Sequence, residues 1–365
     1  MNIYVYLSFL DYNTLINMSS RELRYSIMNK YTQIFAVLIT LGMLLVSGCT
    51  GPSEEAGPVE ELKEIRFGYQ PSTHQVAYMT ADAKGWWVED LTPYGITSTK
   101  EYLFPTGAPE MTAMLAGEID VAYVGATPPL SAIDQGLDAK IVAGAQVQGS
   151  DLVLGTEIPY ESPQDLKGLK IATFPAGTLQ DTVLRKWLID NDIDPNEDLT
   201  IIPMDGANAK TALASKNVDG VFLPHPNPTV IEAEGYGRVV VQSGEMWAQH
   251  ACCLVLVSGD LIRNHPDLVE QIVRTHIKAT EYNINNPEDA AQIFSDDIGV
   301  SYNVSLRSIK EWDGHWVSDP SIELETTLEY ASVQYDLGYT KKLLTQDDLF
   351  DLSFYNKIMA EMDEE

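Results

Sequence analysis

Two hydrophobic periods alternate along the chain. Residues 65–69 (Ile-Arg-Phe-Gly-Tyr) switch between apolar and polar or small positions with period two, which predicts a strand; residues 74–84 carry a helical pattern that closes at Gly85. The pair of signals recurs as strands over 100–104, 119–124 and 140–145, with helices over 108–116 and 128–135 that stop at Gly117 and Gly136. A second series has a short helix over 163–168, strands over 169–174, 199–203, 218–222 and 238–241, and helices over 178–191 and 207–216. Strands separated by helices of about ten residues predict parallel βα units. Two further strand-like runs, 151–156 and the unbroken apolar 251–257, link the series and read as crossings. The remainder reads as helical over 267–285, 287–294, 305–312 and 322–336.

The expected architecture is an α/β protein of two hinged lobes. Residues 64–150 make the first lobe and 151–250 the second with its hinge, while 251–365 return through the second crossing and complete the first lobe with a helical tail. Ligands of open α/β sheets bind beyond the carboxyl ends of strands, and clefts between lobes are favoured pockets. The candidate contacts therefore follow the strands. Gln70, Ser72 and His74 come after the first strand, where Ser72 suits a helix N-cap. Gly125, Ala126 and Thr127 come after the third, with a glycine for close approach and a hydroxyl ahead of Pro128. Gln148 and Ser150 sit at the first crossing, and His225 ends a strand of the second lobe. Gly177 and Thr178 precede a helix whose unpaired N–H groups and positive dipole end form a seat for an anion.

The front of the chain changes the setting. Residues 34–46 form an uncharged, largely apolar run of thirteen, shorter than the roughly 20 residues a membrane helix needs and suited to the core of an export signal. The run ends in Val46-Ser47-Gly48-Cys49, which resembles the lipobox of exported lipoproteins; 1–49 then read as a signal peptide, with Cys49 the lipidated residue and either Met1 or Met28 the start. Residues 50–63, rich in Gly, Pro and Glu, read as a flexible tether. The protein is expected on the extracytoplasmic face of the membrane, held by the lipid alone.

Charge excludes partners. The chain has 23 Lys+Arg against 53 Asp+Glu, and loss of 1–49 leaves 20 against 51, a net charge of −31. Such a surface cannot neutralise phosphates, so nucleic acid is excluded as a partner. Of three cysteines, Cys252 and Cys253 are neighbours that strand alternation points to opposite faces, so no disulfide between them is expected. With His250 they also miss the spacing of a tetrahedral metal site, and no metal or other cofactor is expected. Hydrolase, zincin, Walker and dinucleotide motifs are absent from the sequence, and no catalytic residue is assigned.

One stretch carries more specific information: Met114-Leu-Ala-Gly-Glu-Ile-Asp-Val-Ala-Tyr-Val-Gly-Ala-Thr-Pro128, with the opening strand, Leu166-Lys-Gly-Leu-Lys-Ile-Ala-Thr173 and Asn286-Pro-Glu-Asp-Ala290. In that order these segments resemble the nitrate/sulfonate/taurine-type solute-binding proteins of ABC importers, over about 64–291. The resemblance implies a type II periplasmic-binding-protein fold, a monomer, capture of a small, oxyanion-bearing solute by lobe closure, and delivery to a permease and its ATPase. Where members often carry Trp-Glu-Pro, this chain has Pro224-His225-Pro226, which weakens an amine-bearing ligand such as taurine. Two alternatives remain: a thiamine-pyrimidine synthase-like enzyme on the same fold, resting on His74 and Cys252-Cys253, and a ligand-sensing lipoprotein.

Overall fold

A computed structural model describes residues 62–364; the expected export signal, Cys49 and residues 50–61 of the expected tether lie outside the described residues. The chain opens with β1 (Glu64–Tyr69), a single 3-10 turn (Thr73–Gln75), α1 (Val76–Ala83), α2 (Trp86–Leu91), β2 (Ser98–Leu103), α3 (Gly107–Leu115), β3 (Val121–Gly125), α4 (Pro128–Asp134) and β4 (Ala139–Val147). The middle section comprises β5 (Ser150–Gly155), β6 (Lys170–Thr173), α5 (Leu179–Asp190), β7 (Thr200–Pro203), α6 (Gly206–Ala214), β8 (Gly220–Pro224), α7 (Asn227–Ala233), β9 (Gly237–Gln242) and α8 (Ser243–Met246). Last come β10 (Ala251–Ser258), α9 (Gly259–Asn264), α10 (Pro266–Asn285), α11 (Pro287–Ile298), α12 (Tyr302–Glu311), β11 (His315–Trp316), α13 (Ser321–Asp336), α14 (Gln346–Leu349) and α15 (Ser353–Met362).

These strands form two sheets, ordered β11-β4-β10-β3-β1-β2 and β7-β6-β8-β5-β9. The protein is thus two-lobed, and each lobe mixes strand directions. β1 runs parallel to β2 and β3, and β6 to β7 and β8, as the βα alternation predicts. The crossings differ: β10 inserts antiparallel between β3 and β4, and β5 antiparallel between β8 and β9. An inserted central strand is covered on both faces, so residues 251–257 are buried without alternation, which is why that run is apolar throughout.

The tail closes the first lobe. α10 buries one face (Leu268, Val269, Ile272, Val273 and Ile277) and packs on α1, α2 and β4. On α13 the buried Glu323 accepts N–H groups from Ala145 (3.3 Å) and Cys252 (3.2 Å). The Cys252 N–H needs that partner because the β10–β4 ladder slips register at Ala251/Cys253 and again at Cys253/Leu254. Gly144 is required beside it, since a Cβ there would lie 2.6 Å from Glu323 Oε2. Burial pushes the Glu323 carboxyl well above the usual range, against the two backbone donors that oppose it.

Candidate functional site

Carboxyl ends of strands from both sheets meet along one crevice. A cavity of about 250 Å³ lies there, lined from the first lobe by Gln70, Ser72 and Pro105 and from the second by Phe174, Lys210 and Asn227. A groove of about 180 Å³ lies between α3–α4, through Met111 and Ser131, and the Ala176-Gly177-Thr178 loop. Four of the expected contact residues, Gln70, Ser72, Gly177 and Thr178, line one or the other.

The loop after β1 is built for rigidity. Ser72 caps the 3-10 turn by accepting the His74 N–H (3.2 Å), and its hydroxyl donates across the crevice to the His225 carbonyl (2.9 Å). The same carbonyl accepts the Thr73 N–H (3.2 Å), so the lobes already touch. Gln70 donates its N–H to Gln75 Oε1 (2.6 Å) and its side-chain amide to Glu110 Oε2 (2.6 Å). Glu110 is wholly buried, and desolvation holds its carboxyl well above the usual range against the Gln70 hydrogen bond. Its Oε1 has no hydrogen-bond partner among the described residues.

Other expected contacts are committed elsewhere. His74 is buried, with Nε2 2.7 Å from the Gly149 carbonyl and Nδ1 3.3 Å from Cys252 Sγ, so it does not line the cavity. Gln148 donates to the Asp313 carbonyl (2.8 Å) and accepts from Gln249 N (2.7 Å), fixing the hinge. The Ser150 hydroxyl accepts from Gln180 Nε2 (3.1 Å). The His225 ring faces Asp151 (2.8 Å) and Ser308 (2.9 Å) inside the protein. Thr127 is buried, and its hydroxyl has no hydrogen-bond partner among the described residues. Gly125, with Ala126 buried behind it, faces the second lobe: a Cβ on Gly125 would sit 3.8 Å from Leu179 Cβ.

The anion seat expected at Gly177-Thr178 is corrected by the structure. The Thr178 hydroxyl donates back to the Pro175 carbonyl (2.7 Å). Asp181, in the first turn of α5, accepts the Gly177 N–H (3.3 Å) and pairs with Arg185 (2.8 Å). The chain's own carboxylate thus occupies the positive end of the helix. Gln334 and Tyr339 bond to Gly177 and Asp181 from the tail (2.8 and 2.9 Å). Of the strand-end aromatics, Tyr69, Tyr123 and Phe222 are core, while Phe174 walls the cavity.

Sequence reasoning missed Lys210, the basic group of the cavity, whose ammonium also pairs with Glu234 at 3.2 Å. Lys210 lies on α6, away from any strand end, in a segment with no motif. It also misjudged the cysteines. The β10 bulge turns both thiols the same way, 4.0 Å apart and unbonded, instead of to opposite faces.

The profile of the NMT1-like family matches residues 59–295. The chain belongs to the NMT1-like family. A relative named for binding aliphatic sulfonates, from Bacillus subtilis (strain 168), is 25% identical over 329 residues, covering 89% of this chain and 96% of the relative. The alkanesulfonate-binding protein SsuA from Xanthomonas axonopodis pv. citri, solved with MOPS, superposes with a TM-score of 0.70 at 19% identity over 80% of this chain and 99% of that one. The nitrate-binding protein NrtA from Synechocystis PCC 6803 gives 0.71 at 16% identity, over 83% and 89%. The two structures establish the periplasmic-binding-protein fold. All three are named for binding a solute and none for an enzyme activity.

Proposed function

We propose that the chain is the extracytoplasmic solute-binding component of an ABC importer, and that its solute is a small organic oxyanion of the sulfonate class. The observation that carries this reading is the cavity between the two sheets' strand ends, lined from both lobes. Its chemistry suits an amphiphilic anion better than a bare inorganic one: Pro71, Phe174, Val230 and Ile298 supply apolar wall, with Gln70, Asn227, Lys210 and the carboxylate of Asp205, which caps α6, as polar groups. Burial favours the uncharged form of Glu110 behind Gln70, which lessens its repulsion of an anion. The relative named for aliphatic sulfonates supports the same class. Gln70, Ser72 and Lys210 are the primary contacts.

Capture follows from closure. Solute bridging both lobes stabilises the closed form, which is the form that docks on the permease. The protein acts as a monomer, tethered through lipid on Cys49; metabolic labelling with palmitate, abolished by Cys49→Ser, tests the anchor. Calorimetry with alkanesulfonates, taurine and nitrate tests the solute. One-to-one binding of an alkanesulfonate, tighter than nitrate and weakened by Lys210→Ala, is expected; binding of none of the three classes overturns the reading.

A further inference from the structure

His74, Cys252 and Cys253 converge beneath the 70–75 loop, apart from the groups that line the cavity. Cys252 Sγ and Cys253 Sγ lie 4.0 Å apart, and His74 Nδ1 lies 3.3 Å from the first and 3.7 Å from the second. Among the described residues these are the one His/Cys/Asp/Glu trio whose donor atoms gather within 4.8 Å with no exposed member. We propose that His74 Nδ1, Cys252 Sγ and Cys253 Sγ form a binding site for one thiophilic d10 cation, Cu(I) or Zn(II) in kind.

Three features of the geometry point there. The first is spacing. Metal–sulfur bonds of about 2.3 Å and metal–nitrogen bonds of about 2.0–2.1 Å, at trigonal or tetrahedral angles, put donors roughly 3.5–4 Å apart. The three observed separations fall within a few tenths of an ångström of that range, so an ion needs little rearrangement to enter. The second is orientation of the imidazole. Its Nε2 is 2.7 Å from the Gly149 carbonyl, which only accepts, so the ring proton sits on Nε2 and the Nδ1 lone pair faces the sulfurs. A ring N–H held by a backbone carbonyl is the usual second partner of a metal-bound histidine. The third is the β10 bulge, which places neighbouring thiols on one side of a central strand, where regular alternation would part them.

The donor set also selects the ion. Two sulfurs and one imidazole favour soft or borderline d10 cations over Mg²⁺ or Ca²⁺, which need oxygen ligands. Cu(I) is satisfied by three such donors, whereas Zn(II) takes a fourth, a water. In either case two S–H bonds break, two S–metal bonds form and two protons leave to solvent, with no change of oxidation state. Gln75 connects the site to the cavity. Its Nε2 lies 3.8 Å from Cys253 Sγ and its Oε1 accepts the Gln70 N–H. An ion there would pin the solute-binding loop to β10.

The test uses the full chain in detergent with Cys49→Ala, which leaves Cys252 and Cys253 as the sole thiols of the three. The reduced protein is titrated anaerobically with Cu(I) against a Cu(I)-specific chelator and, separately, with Zn(II) against a chromophoric chelator. One ion per chain is expected in at least one arm, with thiolate-to-metal absorption and protection of both thiols from a thiol reagent. His74→Gln and Cys253→Ser should each weaken binding by at least about a hundredfold, the upper end of what loss of an outer partner costs. Circular dichroism of the metal-free variants checks their folding, and the thiol-protection readout on the parent chain stands whether or not they fold. Failure of both ions to bind at one per chain, or binding that survives Cys252→Ser with Cys253→Ser, overturns the proposal.

Discussion

Removing the His225 ring should cost the protein about 1–3 kcal/mol, the penalty for leaving buried hydrogen-bonding groups without a partner. Nε2 lies 2.8 Å from Asp151 Oδ2, while Nδ1 is 2.9 Å from the Ser308 hydroxyl and 3.2 Å from that of Thr229. His225 is 3% exposed and Asp151 1%, so water cannot replace the ring. The Asp151 Oδ1 already lacks a partner among the described residues, and His225→Ala would leave Oδ2 without one as well. The backbone carbonyl that binds Ser72 and Thr73 survives the substitution, so the loss isolates the side chain. Urea unfolding followed by tryptophan fluorescence measures it. The double variant with Asp151→Ala should lose about 1 kcal/mol less than the two single variants summed, because the stranded acceptor is gone. A His225→Ala loss under about 1 kcal/mol would refute the reasoning and mean that Asp151 is solvated in the folded protein.

Three further outcomes are expected. His276, buried between Tyr123 Oη (3.0 Å) and the Gly144 carbonyl (2.7 Å), is held down to about 4, chiefly by desolvation. The unfolded chain therefore binds a proton that the folded one refuses between pH ~6.5 and ~4, so this contribution is full above ~6.5 and falls by ~3 kcal/mol toward pH 4. The difference in denaturation midpoints between wild type and His276→Gln should show that slope. Gly125→Ala should be tolerated, since its Cβ meets Cys252 O, Pro128 Cδ and Leu179 Cβ at 3.7, 3.7 and 3.8 Å, whereas Gly125→Leu should wedge the lobes apart. Calorimetry should then show solute affinity down by about tenfold or more with the melting temperature of the solute-free protein unchanged. Lys210→Ala should weaken sulfonate binding about tenfold, near the ~1.5 kcal/mol of one charge-assisted hydrogen bond, while leaving a neutral solute unaffected.

Much of the fold was legible because hydrophobic period and strand-helix alternation carry it; α10, α13 and β1 follow directly from their patterns. What escaped depends on long-range placement. The insertion of β10 between β3 and β4 leaves no local mark beyond its unbroken apolar run. α7 went unread because Pro226 and Pro228 look like breakers, though proline is tolerated in a first helical turn. α2 went unread because Gly85 looked like an end and not a joint between two helices. At the site, the strand-end rule found the loops but not which atoms were free. Gly177 and His74 stand at the expected positions, yet Asp181 and the two thiols, invisible to a local reading, take up what they offer. The bulge that gathers Cys252 and Cys253 is likewise a property of the ladder and not of two neighbouring letters.

The most direct measurement is a crystal structure of the protein with the tightest-binding sulfonate. The account predicts its density between Gln70-Ser72 and Phe174-Lys210-Asn227, with the sulfonate oxygens on the polar side and the alkyl chain on Phe174 and Val230. Density elsewhere on the molecule, or a crevice left empty at saturating solute, would contradict it.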